Sequence, residues 1–252
     1  MTDFVGELTK RLLIEAGIES CMRVLDVGCG QGDVSLLVAG LVGERGKALG
    51  VDRDARAVVA ARERARALGL ANASFAEANL TALPAEYGGF DAIVGRRVLM
   101  YQPDAAAALK HLVPALEPGG VMFFLEHDAT VVPTSKAPLL LHERVHHWIW
   151  ETVRREGANI HMGAELRSSL ARAGLAVEQV RAEAIVQTPE QHYPVGNIVR
   201  AMLARIVQQG VAKEDEIAVE TLDQRLIEER AKANATYIGE IVFGAWARKP
   251  TR

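Results

Sequence analysis

The sequence predicts an α/β chain, a parallel sheet with helices on both faces. Three observations lead there. Short apolar runs alternate with helical patterns from residue 23 to residue 125, a strand-to-helix turn carries three glycines in five positions, and an acid ends the second strand beyond that turn. Strands that alternate with helices join through right-handed crossovers, and strands covered on both faces read as continuous apolar runs.

Taken in order, Leu8, Leu12, Leu13 and Ala16 recur at helical spacing and predict a short amphipathic helix closed by Gly17. Buried strands are expected at 23–27 (RVLDV), 48–51 (ALGV), 73–75 (ASF), 90–94 (FDAIV) and 121–125 (VMFFL). Helices fall between them near 34–42, 54–68 and 104–116, with Asp54 placed as an N-cap and Pro118-Gly119-Gly120 closing the last. The arginines of 54–68 share their helix with Ala, Val and Leu, which marks the exposed face of a sheet-covering helix and not an RNA patch. From Thr130 to about Met162 the pattern is helical and aromatic-bearing, with no strand signal. A helix at 165–173 ends at Gly174, a strand follows within 175–186, helices are expected at 195–208 and 221–235, and a last strand at 238–247. No repeat, low-complexity linker or break in composition divides the chain. Residues 1–252 therefore read as one domain: a core at 20–130, insertions at 130–164 and 187–236 that roof the sheet, and strands at 175–186 and 238–247.

The 252 residues are 49% apolar and 24% charged, which excludes a disordered or collagen-like chain. Lys and Arg total 29 against 32 for Asp and Glu, so the basic excess of a nucleic-acid binder is missing. Cys21 and Cys29 are too few for a disulfide framework. No run reaches the roughly 18 apolar residues of a membrane span. The mixed charges of MTDFVGELTKRLLIEAG do not read as a signal peptide.

The most informative segment is VLDVGCGQGD at 24–33, where a buried strand runs into Gly28-Cys29-Gly30-Gln31-Gly32 and a helical pattern starts at once. Glycines there permit positive φ and let a ligand reach the backbone with no Cβ in the way. Amides at the helix start would face that ligand. The ordinary alternative is a turn that merely needs glycine. Asp52 stands where a dinucleotide fold places its ribose-binding acid, and Asp26 precedes Gly28 by two residues. The spacing is G-x-G-x-G and not G-x-G-x-x-G, and position 33 is Asp. Carboxylates at Asp26 and Asp33 repel a pyrophosphate at short range. A cofactor with a cationic amine or sulfonium and a ribose, but no phosphate, suits this turn better.

Those features fit S-adenosylmethionine, and the sequence here resembles the class I S-adenosylmethionine-dependent methyltransferases over residues 20–130. VLDVGCGQG looks like the first motif of that family, GVDRD at 50–54 like the second, FAEANLTALP at 75–84 like the third and FDAIVGRRVLMY at 90–101 like the fourth. LEPGG at 116–120 looks like the turn before the fifth strand. The resemblance implies a doubly wound, mostly parallel seven-stranded sheet with an antiparallel last strand and helical lid insertions. It implies cofactor contacts at Asp26, Gly28, Gly30, Gln31 and Gly32, at Asp52 and Arg53, and at Asn79 and Leu80, with Asp52 on both ribose hydroxyls. The family's third-motif acid, which contacts the adenine amino group, is Asn79 here. An amide still offers a carbonyl oxygen for that bond.

Methyl transfer of this kind is an in-line displacement at a sulfonium carbon. Holding the nucleophile about 3 Å from the methyl is worth roughly 7–11 kcal/mol, a dry site helps, and a nucleophile that carries a proton needs a base. The carbonyl ends of strands four and five face the substrate in open sheets, which points to Arg96, Arg97, Tyr101, Glu126 and His127. Neighbours on a strand face opposite ways, so one of Glu126 and His127 meets the substrate. The plain alternative for Glu126 is an ion pair with a nearby Arg. Arg96 or Arg97 suits the cofactor carboxylate or an anionic substrate, against a capping or ion-pair role. Tyr101 suits closure over the cofactor or a hydrogen bond to substrate, against packing with a wet hydroxyl.

HERVH at 142–146 is a literal H-E-x-x-H with both histidines on one helical face, which a zinc site needs, and with His147 and His161 as further donors. Five residues match by chance easily, and the neighbouring Trp148 and Trp150 suit a lid helix over a substrate cavity. No metal is expected. His142 or His146 is the better candidate for a substrate-facing base, against a solvated histidine on a surface helix. The expectation is a cytoplasmic enzyme that methylates O, N or C of a small molecule, using S-adenosylmethionine and releasing S-adenosylhomocysteine. Its partners would include no nucleic acid and no membrane, and a homodimer is left open. The rivals are an RNA or protein methyltransferase, a fold relative that does not transfer methyl, and a metal-dependent hydrolase.

Overall fold

The computed structural model describes residues 4–84 and 86–251. Seven strands stand where the apolar runs place them: β1 (Arg23–Val27), β2 (Lys47–Asp52), β3 (Ala73–Glu77), β4 (Phe90–Arg96), β5 (Leu116–Asp128), β7 (Ala176–Gln187) and β8 (Tyr237–Arg248). An eighth, β6 (Thr134–Ser135), is two residues long and lies where no strand signal was expected. It pairs antiparallel with Ile238 and Tyr237 of β8, and a two-residue bridge is too short to leave a periodic pattern. The strand order is β3-β2-β1-β4-β5-β8-β6, with β7 also paired to β8. The ladders of β1 with β2 and β4, of β2 with β3, and of β4 with β5 are parallel. The fold is thus a mostly parallel α/β sheet, and β1, between β2 and β4, is buried from Val24 to Val27.

The helices follow their signals. α1 (Phe4–Glu15) buries Leu8, Leu12 and Leu13. α2 (Asp33–Val42) and α3 (Ala55–Ala67) connect the first three strands, and the Asp54 side chain caps α3 by accepting from the Arg56 amide. α4 (Ala105–Leu112) is capped by Asp104 in the same way, through the Ala106 and Ala107 amides.

The expected helix end at Pro118-Gly119-Gly120 is corrected. α4 stops at Leu112, a 3-10 turn covers Val113–Ala115, and the three residues lie inside β5. Pro114 cannot donate the amide that would continue the α-helix. Phe90 then pairs with Leu116 but Ala92 with Val121, so the proline and glycines form an irregularity in the strand.

The described chain divides into two compact units, neither of them continuous in sequence. The first holds residues up to 126, 162–181 and those from 243 onward; the second holds 127–161 and 182–242. In the first, α6 (Met162–Arg172) buries Leu166 and Leu170, and Gly244 of β8 comes so close to α1 that a Cβ there would stand 2.7 Å from Leu12 Cδ1. The second contains α5 (Leu140–Arg155), α7 (Val195–Gln208), the short α8 (Glu214–Ile217) and α9 (Leu222–Ala233).

Packing is tight behind the glycine turn. A Cβ on Gly50 of β2 would stand 2.6 Å from both Phe75 Cδ1 and Ser35 Oγ. Gly50→Ala is expected to cost about 1–3 kcal/mol by overpacking, read as a lower midpoint in denaturant unfolding; an unchanged midpoint would show that β2 and β3 give way freely.

Candidate functional site

Gly28, Gly30 and Gly32 all adopt positive φ, at 66, 53 and 88°. Gly28 is required for a second reason, because a Cβ there would overlap Val98, 2.4 Å from its Cγ2. At Gly30 a Cβ would meet nothing within 4 Å, so the backbone lies open on that side. Gly32 is the N-cap of α2 and provides no side-chain cap, which leaves the first-turn amides without a side-chain partner.

Two acids border this turn. Asp52 accepts the Gly30 amide on Oδ2 at 2.8 Å and the Asp54 amide on Oδ1 at 2.9 Å. Asp26 is 1% exposed; its Oδ2 accepts from the Ser35 hydroxyl at 2.6 Å and its Oδ1 has no partner. Burial raises its pKa to about 7, against the Ser35 bond that favours the ionised form. Asp33 is exposed and held by Arg64 at 2.7 Å and Arg96 at 3.2 Å. The picture of bare charges at Asp26 and Asp33 is therefore amended: one is largely desolvated, the other ion-paired. Ser35 escaped the sequence reading, although a hydroxyl on the buried face of an apolar helix was a visible signal.

The remaining sequence candidates of this unit divide clearly. Arg96 makes the ion pair with Asp33 and also donates to Thr9 Oγ1 at 3.3 Å. Arg53 is exposed, Gln31 is exposed with its carbonyl accepting from Arg64, and Leu80 is buried. Asn79 Oδ1 already accepts from the Thr81 amide and hydroxyl, so a contact to adenine would displace one of them. Tyr101 ends a 3-10 turn and is 40% exposed.

Glu126 is fully buried, and its Oε1 accepts the Val98 amide at 2.9 Å and the Leu99 amide at 2.7 Å; no ion pair with an arginine is formed among the described residues. It fixes the loop that sets Val98 against Gly28. Burial raises its pKa to about 7, with the two amides opposing.

In the second unit His127 Nδ1 lies 2.8 Å from Glu240 Oε2, and its Nε2 is buried without a partner. His142 is buried, not solvated: Nδ1 lies 2.7 Å from Glu229, and Nε2 accepts from Arg230 at 2.8 Å. Arg230, fully buried, also donates to His192 Nδ1 at 2.9 Å, and His192 Nε2 meets Asp223 at 3.0 Å. Desolvation lowers the pKa of His142 and of His192, so both rings accept from the guanidinium. The Arg230 network was missed in the sequence, yet Leu222, Leu226 and Arg230 form one buried stripe of α9, and an arginine on an apolar stripe was the available sign.

A cavity of about 410 Å³ lies within this unit, walled by Val145, Ile149, Ile185 and Leu226 and bordered by His146 and Tyr237. His146 Nε2 is buried without a partner, and desolvation lowers the pKa of the ring. No group of three or more His, Cys, Asp or Glu able to hold a metal occurs among the described residues.

These groups set an acid–base balance. Glu126 and Asp26 have raised folded values, so their contribution to stability is full below the unfolded values of 4.5 and 3.8 and is lost as pH rises through about 7. His142 and His192 have lowered values, so theirs is full above 6.5 and lost on acidification. Glu126→Gln keeps an acceptor for both amides and removes the titration. Between pH 5 and 8.5 the variant should gain roughly 2–3 kcal/mol on the parent in denaturant unfolding; parallel pH profiles would refute the buried-acid assignment.

With the geometry in view, known proteins place the chain. Demethylmenaquinone methyltransferase of Staphylococcus aureus (strain MRSA252) is 29% identical over 127 residues, 50% of this chain and 52% of that protein. Ubiquinone/menaquinone biosynthesis C-methyltransferase UbiE of Escherichia coli O1:K1 / APEC is 33% identical over 136 residues, 53% of this chain and 54% of that protein. The chain thus spans about half the length of the curated relatives it matches. Among solved structures, the [4+2]-cyclase SpnF superposes with a TM-score of 0.60 at 22% identity, covering 98% of this chain and 82% of that one, which shows a shared fold. A family model described as a methyltransferase domain matches residues 18–184, more than half of the sequence. The chain belongs to the methyltransferase-domain family.

Proposed function

We propose that the protein transfers a methyl group from S-adenosylmethionine to O, N or C of a small-molecule acceptor, in a cytoplasmic setting and as a single catalytic domain. The observation that carries this reading is the glycine turn between Asp26 and Asp52. Gly30 is open on its outer side, the first amides of α2 have no side-chain cap, and the buried Oδ1 of Asp26 has no partner. Such a site offers donors to a carboxylate, an acceptor to an ammonium and a second acid to ribose hydroxyls, so the residues fit an adenosyl amino acid. The names of the Staphylococcus aureus and Escherichia coli relatives support methyl transfer.

When bound, S-adenosylmethionine supplies an electrophilic methyl on a sulfonium. The chain's own part is to hold and align. Asp52 would exchange its bond to the Gly30 amide for, or share it with, the ribose hydroxyls. Asp26, at the edge of ionisation, becomes a carboxylate when an ammonium lies beside it. Glu126 positions Val98 and thereby the shape of the turn. Asn79, Leu80, Gln31, Arg53 and Arg96 border the same motifs by resemblance, and Tyr101, His127, His142 and His146 are the remaining candidates for contact with the acceptor. Of the histidines, His142 is tied at both nitrogens, whereas His146 keeps an unpartnered Nε2. His127 also keeps an unpartnered Nε2, but His146 lines the cavity and is therefore the better placed to hydrogen-bond a substrate.

Calorimetric titration should show one S-adenosylmethionine bound per chain, and a panel of small-molecule acceptors should yield S-adenosylhomocysteine. Asp52→Ala, checked for cooperative unfolding, is expected to weaken cofactor binding by about 1–3 kcal/mol through lost hydroxyl partners. A folded variant with undiminished affinity, or a parent that gives no heat at millimolar cofactor, would remove the proposal.

A further inference from the structure

The cavity of the second unit is not used by the methyl-donor site. It spans about 410 Å³, part of it open to solvent, and a water molecule fits in only a small share of that space. The space is therefore narrow throughout. It suits a flat ring or an extended chain and not a bulky cage. Val145, Ile149, Ile185 and Leu226 make its walls apolar, so a ligand must bring apolar surface to match.

Among the described residues of this lining, His146 carries a fully buried side-chain polar atom that remains unmatched. His146 lines the cavity, and its Nε2 is buried with no hydrogen-bond partner. Trp150, one helical turn on, has its ring 6.2 Å away, and its indole nitrogen is likewise unpartnered. A buried polar atom without a partner is costly and rare in folded chains. Burial keeps the imidazole neutral near pH 7, so one ring nitrogen donates and the other accepts. A hydroxyl both donates and accepts and so satisfies Nε2 in either tautomer. An ether can only accept, and a hydrocarbon does neither. Glu240 also borders the cavity and sets its charge against an anionic ligand. The neighbouring His142 cannot take the same role, because Glu229 and Arg230 occupy both its nitrogens.

We propose that this cavity binds a narrow apolar molecule, a flat ring or an extended chain, through one hydroxyl hydrogen-bonded to His146 Nε2. That this molecule is the methyl acceptor rests on the function proposed above, whereas its binding does not. His146 acts as a positioning residue for it.

The test uses 4-propylphenol, 4-propylanisole, propylbenzene and 4-propylbenzylamine, titrated into the full chain by calorimetry, with tryptophan fluorescence as a second reading. One 4-propylphenol should bind per chain, about tenfold or more tighter than the other three. In His146→Phe, which keeps the ring and removes its nitrogens, the phenol should fall to the level of the anisole. Ile149→Trp fills the cavity and should abolish binding of all four, with Val145→Phe in its place if the first does not unfold cooperatively. Equal affinities for phenol and anisole, tighter binding of the amine, undiminished phenol binding in His146→Phe, or no binding at millimolar concentration would each overturn the proposal. S-adenosylmethionine titrated into the same samples separates the two readings. Cofactor heat without phenol binding removes only the cavity site, and phenol binding without cofactor heat removes only the methyl donor.

Discussion

The Gly30 amide donates to Asp52 at 2.8 Å, and the candidate site of the first unit depends on that bond. Glycines in left-handed conformation have many alternatives open to them in an unfolded chain, so a turn made of three must be held from outside. β2 does this twice, through the Val51 carbonyl that accepts from Cys29 and through the carboxylate one residue later. The other carboxylate oxygen takes the Asp54 amide, and Asp54 in turn caps α3. One acid thus fixes the end of a strand, the turn beside it and the start of the next helix. Glu126 braces the opposite side, where its bonds to Val98 and Leu99 set the residue that packs on Gly28.

The parts of this arrangement that repeat or punctuate the sequence could be read from it. Apolar runs found β1, β4 and β5 because most of their residues are buried on a parallel sheet. Asp54 announced a helix start, and the glycines announced the turn. The partners of the charged residues could not be read, because they are set by tertiary contact: Asp33 with Arg64 and Arg96 across 31 and 63 residues, His142 with Glu229 across 87. Glu126 was marked as functional by its place after the fifth strand, but its bonds go to backbone amides, which have no side-chain signature. Position alone also made the H-E-x-x-H histidines look alike, whereas the fold ties one of them at both nitrogens and leaves the other with a buried nitrogen unmatched.

The family and the fold constrain the donor more than the reaction. A cyclase shares this topology, so what the chain does must follow from side chains. Here the polar investment is uneven. In the first unit it goes into shaping backbone, through Asp52 and Glu126. In the second it goes into Arg230, whose buried charge is shared by two neutral rings and offset by Glu229 and Asp223 nearby. Breaking such a network by removing one member leaves an uncompensated charge, which makes the geometry around His142 rigid at the expense of tolerance to substitution.

The place of β8 in the strand order bears on how the chain is made. The last strand of the sequence lies between β5 and β6 and also pairs with β7. During synthesis the ribosome must therefore release everything up to and including β8 before those three strands find their common neighbour. Until then the nascent sheet ends at a long, apolar β5 with unpaired backbone groups along its rim, a template for mispairing with other chains. β8 works as a closing seam, and truncations that remove it should be cleared by quality control and not accumulate as a smaller enzyme.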